Sequence, residues 1–232
     1  MPVLPLLLIE DNQDVIAWFR RLLDPSDEEI CVASSIRDAR AVLGSEPFAT
    51  IIVDLTLPDG SGVDILPDLR ARHPDAGILV FSAHESDDRI VQALEAGADD
   101  YVVKPVSPAV LKARLTALRR RLTPASRAST PTTIGDLTCD PIARNITGPV
   151  GSVALTPKEW QVLTTLAGHP DKLVPRAELL SLVWGYDFDP HTSVLDVTLT
   201  RLRQKLVQAS LLVSVHSLRD VGIQLRVSTQ TE

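Results

Sequence analysis

Along the first half of the chain, short apolar runs rich in β-branched residues alternate with longer stretches of helical period. Runs near 4–9, 30–34, 50–54, 77–82 and 100–103 are apolar at almost every position, as strands buried on both faces are. Between them, residues near 12–23, 36–44, 61–72, 86–97 and 107–121 place apolar side chains three and four apart, the mark of helices with one buried face. Five such alternations predict right-handed crossovers and one parallel sheet covered on both sides. Residues 1–121 are therefore expected to form an α/β, doubly wound, five-stranded domain. In its first helix Val15, Trp18, Phe19, Leu22 and Leu23 are expected inward, and Ala17, Arg20 and Arg21 outward.

The period stops near Arg119. Residues 122–131 carry prolines and small polar side chains without an apolar repeat, which predicts a flexible linker. Beyond it lie β-like segments around 132–138, 143–147 and 151–155, then Leu155-Thr156-Pro157-Lys158-Glu159-Trp160. Thr156 as N-cap, Pro157 at the first helical position and Glu159 three residues after the cap predict a capping box. Helices are expected near 157–167, 176–184 and 191–208, the last with Leu195, Leu199, Leu202 and Leu206 inward. Strands over 211–217 and 222–227, joined by a turn at Arg219-Asp220, complete an α+β winged helix-turn-helix over 132–232.

Composition changes this picture in two ways. The net charge of −7 belongs to the first half, where residues 1–122 hold 20 acidic and 13 basic side chains, while the remainder holds 10 of each. The second half is thus not basic enough to announce nucleic acid by charge alone, and that case rests on local pattern. The two cysteines, Cys31 and Cys139, fall in strand-like runs in different halves and read as buried thiols rather than a disulfide or metal ligands. The apolar start ends at Glu10, too short for a signal segment or a membrane span of about 20 residues. A soluble, cytoplasmic protein is expected.

The chemistry gathers at strand ends. Residues 51–54 stop at Asp54 and break at Pro58 and Gly60; the first strand ends in Glu10-Asp11, the fourth in Ser82, the fifth in Lys104-Pro105. In an open α/β sheet, ligands bind outside the carboxyl ends of the strands where the strand order reverses. Carboxylates at Glu10, Asp11 and Asp54 offer hard oxygen ligands for Mg²⁺, Ser82 a hydroxyl for a phosphoryl oxygen, and Lys104 a positive charge for another. This is the constellation of a phosphoryl-accepting site.

These residues, with Gly97-Ala-Asp-Asp-Tyr101-Val-Val-Lys104-Pro105, resemble a response-regulator receiver domain. The resemblance implies that a sensor histidine kinase phosphorylates Asp54, with Mg²⁺ held by Glu10, Asp11, Asp54 and the carbonyl of Thr56. It implies that Ser82 and Tyr101 form a switch pair, that Thr56 and His84 tune the lifetime of the phosphoryl group, and that the first helix faces the kinase. It also places Asp99, Asp100 and Arg114 on a face that pairs two copies on phosphorylation. In the second half, Leu-Thr-Pro-Lys-Glu-Trp, Leu-Val-Trp184-Gly185 and Asp196-Val-Thr-Leu-Thr-Arg201-Leu-Arg203-Gln-Lys205 are similar to the effector domain of the OmpR/PhoB family. That resemblance makes the third helix a recognition helix for double-stranded DNA. Thr198, Arg201 and Lys205 form its outward stripe, Thr200 and Arg203 lie beside it, and Arg219 sits on the wing. The wing, Arg219-Asp220-Val221-Gly222-Ile223, departs from the Arg-Gly-x-Gly-Tyr usual there. The expectation is a transcription regulator, not an enzyme acting on outside substrates, with RNA polymerase a further partner. The alternative is a receiver-controlled or phosphate-independent regulator that works mainly through protein contacts.

Overall fold

The structure, a computed structural model, describes residues 5–23, 29–44, 47–119, 131–169, 172–186, 193–219 and 221–228. The chain divides into two compact units, Met1–Leu122 and Thr123–Glu232. Most of the expected linker (122–130), and Asp220 of the expected wing turn, lie outside the described residues.

In the first unit, strands β1 (Leu6–Ile9), β2 (Ile30–Ala33), β3 (Thr50–Val53), β4 (Gly77–Ser82) and β5 (Asp100–Val103) form a parallel sheet in the order β2-β1-β3-β4-β5. Helices α1 (Gln13–Leu22), α2 (Ile36–Val42), α3 (Leu66–Arg72), α4 (Asp87–Glu95) and α5 (Pro108–Arg119) connect them. Alternate strand residues share a face, so Leu6, Leu8, Ile52, Leu79, Phe81 and Val102 pack with Ile16, Phe19 and Leu22 of α1 and Leu111, Leu115 and Leu118 of α5. Leu7, Ile51, Ile78 and Val80 fill the opposite face and are fully buried. The core arc of α1 is centred differently from the expectation. Ile16 is buried with Phe19, Leu22 and Leu23, whereas Val15 and Trp18 are only half-buried, because the arc follows the i, i+3, i+6 line through Ile16.

In the second unit, β6 (Thr132–Ile134), β7 (Leu137–Asp140), β8 (Asn145–Thr147) and β9 (Ser152–Ala154) form an antiparallel sheet in chain order. The single strand expected over 132–138 is two, split by a turn at Gly135. That residue has φ +58°, and a Cβ on it would stand 2.7 Å from Val227. Helices α6 (Pro157–Ala167), α7 (Arg176–Trp184) and α8 (Val194–Ala209) follow, then the hairpin β10 (Val213–Leu218) and β11 (Gly222–Val227). Leu195, Leu199, Leu202 and Leu206 of α8 are buried, together with Val162, Leu163, Leu166, Leu179, Leu180 and Val183 of the other two helices. The capping box forms in full: Glu159 accepts from the Thr156 amide at 2.8 Å, and Thr156 Oγ1 from the Glu159 amide at 3.4 Å. Ile223 exchanges two 2.8 Å backbone hydrogen bonds with Val174, tying the hairpin to the entry of α7. Among the described residues no helix is long and apolar enough to cross a membrane.

Candidate functional site

Strand order reverses at β1 and β3, and their register aligns Ile9 with Val53. Glu10 and Asp54, the next residues, therefore leave the sheet side by side, with the Asp54 amide donating to the Ile9 carbonyl at 2.9 Å. Two strands away β5 delivers Lys104, whose amide donates to the Ser82 carbonyl at 2.8 Å. Its Nζ bridges the two carboxylates, 2.7 Å from Glu10 Oε2 and 2.7 Å from Asp54 Oδ2. The Lys104-Pro105 peptide is cis. Both acids are buried, Glu10 at 2 % and Asp54 at 8 % exposure. Burial pushes the Glu10 carboxyl above its ordinary range, the charge of Asp54 adds to this, and Lys104 only partly opposes it.

The loop after Asp54 is held close. The Thr56 amide donates to Asp54 Oδ1 at 3.2 Å, and Gly62 donates to the Leu55 carbonyl at 2.9 Å. Asp59 reaches back to accept from the first amides of α2, Ile36 and Arg37, both at 2.9 Å. Those bonds hold its carboxyl below the ordinary range, that to Arg37 foremost. Thr56 Oγ1 and His84 Nε2 are hydrogen-bonded at 3.2 Å, and the Tyr101 hydroxyl, its ring buried, donates to the His84 carbonyl at 2.7 Å. Ser82 is fully buried, and its hydroxyl has no hydrogen-bond partner among the described residues.

Of the expected metal set, Glu10 and Asp54 are brought together, but by Lys104; Asp11 is exposed. Among the described residues no three His, Cys, Asp or Glu side chains are grouped to hold a metal ion as they stand. The donor chemistry nonetheless fits Mg²⁺: hard carboxylate oxygens with more negative charge than one ammonium balances.

The residues expected on a pairing face are engaged within the chain. Asp99, buried, accepts from Arg70 Nη2 at 2.6 Å and from the Ile78 amide at 2.9 Å. Asp100, also buried, takes Arg114 Nη1 at 3.2 Å. Sequence reasoning missed Arg70, whose guanidinium also donates to the carbonyls of Ala76 and Gly97 at 2.8 and 3.0 Å. It also missed the aromatic stack beside Lys104. Trp18 lies parallel to Phe81 at 5.9 Å, and Lys104 Nζ stands 4.9 Å from the Phe81 ring centre. A cavity of about 340 Å³ opens there, lined by Val15, Trp18, Phe81, Pro105 and Val106 with Asp14 and Lys104.

In the second unit the expected outward stripe turns inward. Thr198 is buried and its hydroxyl donates to the Val194 carbonyl at 2.7 Å. Arg201 and Lys205 converge on Glu159, which is fully buried. Arg201 Nε forms an ion pair at 3.0 Å, outside hydrogen-bond angles, and Lys205 Nζ donates at 2.6 Å. The cause is the capping glutamate itself, a buried charge that needs cations. Arg203 is held by the hairpin, donating to the Val215 carbonyl at 2.9 Å and Ser217 Oγ at 2.6 Å. Thr200 is exposed with its hydroxyl on the Asp196 carbonyl at 2.9 Å, and Arg219 is exposed on the hairpin turn. The outward hairpin face adds His216 and Arg226, both exposed. The alternation of Val213 and Val215 with Ser214 and His216 is the signal that would have found it.

A buried acid pocket at the switch point of one unit and a winged helix in the other define a response regulator that controls transcription. The chain matches the family model described as response regulator receiver domain over residues 6–116, and that described as transcriptional regulatory protein, C terminal, over 151–225. It belongs to the two-component response regulators of OmpR/PhoB type. It is 40% identical over 223 residues to the transcriptional regulatory protein PrrA of Mycobacterium tuberculosis, covering 95% of each chain. With response regulator MprA of Mycolicibacterium vanbaalenii it shares 33% over 228 residues, covering 97% of this chain and 98% of that one. Among solved structures, a mutant of RitR has a similar fold, with a TM-score of 0.73 at 23% identity over 97% of this chain and 99% of that one. The Thermotoga maritima OmpR/PhoB homologue DrrB has a TM-score of 0.52 at 23% identity, covering 97% of this chain and 100% of that one.

Proposed function

We propose that Asp54 is the phosphoacceptor through which a sensor histidine kinase controls this regulator, and that phosphorylation raises sequence-specific binding of its second unit to double-stranded DNA. The observation that carries the reading is the buried Glu10–Lys104–Asp54 cluster, with the unpartnered Ser82 hydroxyl one strand over. An Asp54 carboxylate oxygen attacks the phosphorus of a phosphohistidine. The P–N bond breaks, its electron pair leaves with the imidazole, and an acyl phosphate forms. Lys104 follows the developing charge onto a phosphoryl oxygen, and Ser82 donates to another. Bound at Glu10, Asp11, Asp54 and the Thr56 carbonyl, Mg²⁺ would supply the positive charge that this many anionic oxygens require.

The kinase is proposed to approach over α1, where Arg20 and Arg21 are exposed. Phosphorylated copies are proposed to pair through α4, β5 and α5, drawing on Asp100 and Arg114, with Asp99 retained by Arg70. Pairing raises affinity for two adjacent half-sites by linking two binding modules. RNA polymerase is the further partner of this reading, and the cytoplasm its place.

The test is incubation with a small-molecule phosphodonor and Mg²⁺, then titration of a fragment from the protein's own upstream region with and without beryllofluoride. One phosphoryl mass should be gained by the wild type and not by Asp54→Asn, and DNA binding should tighten only where Asp54 is present. Modification that persists in Asp54→Asn, or binding indifferent to the mimic, would refute the switch.

A further inference from the structure

Of the five basic or hydroxyl side chains that helical spacing alone offers to a DNA groove, four are spent. Arg201 and Lys205 serve the buried Glu159, Arg203 braces the hairpin, and Thr198 is in the core. The side chains exposed along α8 are Asp196, Thr200, Gln204, Val207 and Gln208. Asp196 is paired with Arg176 at 2.9 Å. Gln204 makes no hydrogen bond among the described residues, and Thr200, its hydroxyl committed to the Asp196 carbonyl, is left with its methyl.

We infer that Thr200 and Gln204 are the specificity-determining residues of this chain, and that its half-site presents an adenine to Gln204 and a thymine methyl to Thr200. The inference rests on the DNA-binding reading above. An amide carries one donor and one acceptor side by side, the complement of adenine N7 and N6 in the major groove, while a threonine methyl meets the thymine C5 methyl. Four residues of helix rise about 6 Å, against about 3.4 Å for each base step along a strand. The two contacts therefore fall about two steps apart. Guanine read by arginine, the commonest specific contact in the major groove, is not what this helix face offers.

The test is selection from random duplexes with the full-length chain, activated with beryllofluoride and Mg²⁺, at one fixed ionic strength, for wild type, Gln204→Ala and Thr200→Ser. Gln204 is exposed, so the thermal midpoint of its variant should match that of the wild type. The wild type should enrich an A·T pair at which Gln204→Ala loses its preference by about tenfold or more, with other positions unchanged. Replacing that adenine by 7-deazaadenine should weaken the wild type by a similar factor and leave Gln204→Ala unaffected. Thr200→Ser, which keeps the hydroxyl and removes the methyl, should relax the preference for thymine over uracil about two steps away. A motif dominated by guanine and untouched by Gln204→Ala overturns the inference while leaving the protein a DNA reader. No enrichment by the wild type overturns the DNA-binding reading and this inference with it.

Discussion

Glu10 shows how a single carboxylate trades stability for chemistry. Buried beside Asp54, it holds its proton more tightly folded than unfolded. A raised folded pKa contributes stability that is present in acid and is lost as pH rises from the ordinary carboxylate range through the folded value. Glu10→Gln removes that penalty while Asp54 still holds Lys104. Urea unfolding should find the variant more stable than wild type at neutral pH by on the order of 1 kcal/mol, the gain vanishing toward pH 4, with phosphorylation slowed. Asp59 runs the other way. Its carboxyl is held low by the amides of α2, so its contribution is present above the ordinary range and fades as pH falls through the folded value. Glu10, Asp54, Ser82 and Lys104 were legible because each ends an apolar run. The pairing of Thr56 with His84 was not, since a 28-residue separation carries no local signal.

Elements are joined here by a few buried charges. Arg70 of α3 grips the Gly97 and Ala76 carbonyls and the carboxylate of Asp99, fastening that helix to the approach to β5. Arg70→Met removes the guanidinium that stands 2.6 Å from the buried Asp99 carboxylate, and breaking such a pair costs about 3–5 kcal/mol; denaturant titration should show a loss in that range without a change of fold. Among the described residues, periodicity located every α-helix of both units, because amphipathic spacing is a local property. It misplaced the exposed stripe of α8 because the decisive partner, Glu159, lies 46 residues from Lys205. The capping pattern at Thr156 announced a helix start correctly but not that its glutamate would draw two cations inward. The split at Gly135 carried a local signal that was missed: Gly135-Asp136 inside a β-like run marks a hairpin turn, and Gly135 takes the positive φ of +58° that the turn needs.

At the scale of the whole molecule, the question is how much positive charge reaches a DNA backbone. With Arg201 and Lys205 turned toward Glu159, the exposed cations among the described residues of the second unit are Lys172, Arg219 and Arg226. Each neutralised phosphate contributes about −0.9 to the log–log salt dependence, so a slope of about −3 per bound chain is expected. Glu159→Gln keeps a capping side chain but removes the carboxylate that draws both cations inward, leaving Lys205 the Ala154 carbonyl at 2.9 Å, and should steepen that slope by up to about 2 while losing about 1–3 kcal/mol of stability. Fluorescence anisotropy across a salt series checks both, and an unchanged slope would show that the two cations are not held in reserve. At Gly62 a Cβ would stand 2.0 Å from the Asp54 carbonyl oxygen. In a saturation scan of the chain, selected for signalling output, position 62 should rank with Asp54 itself as intolerant even of alanine, and purified Gly62→Ala should also be less stable to denaturant, because the backbone at Asp54 must move to admit the methyl. A residue with no side chain would then score like a catalytic one, and a map of mutational intolerance would mark the pocket's outline as well as its chemistry.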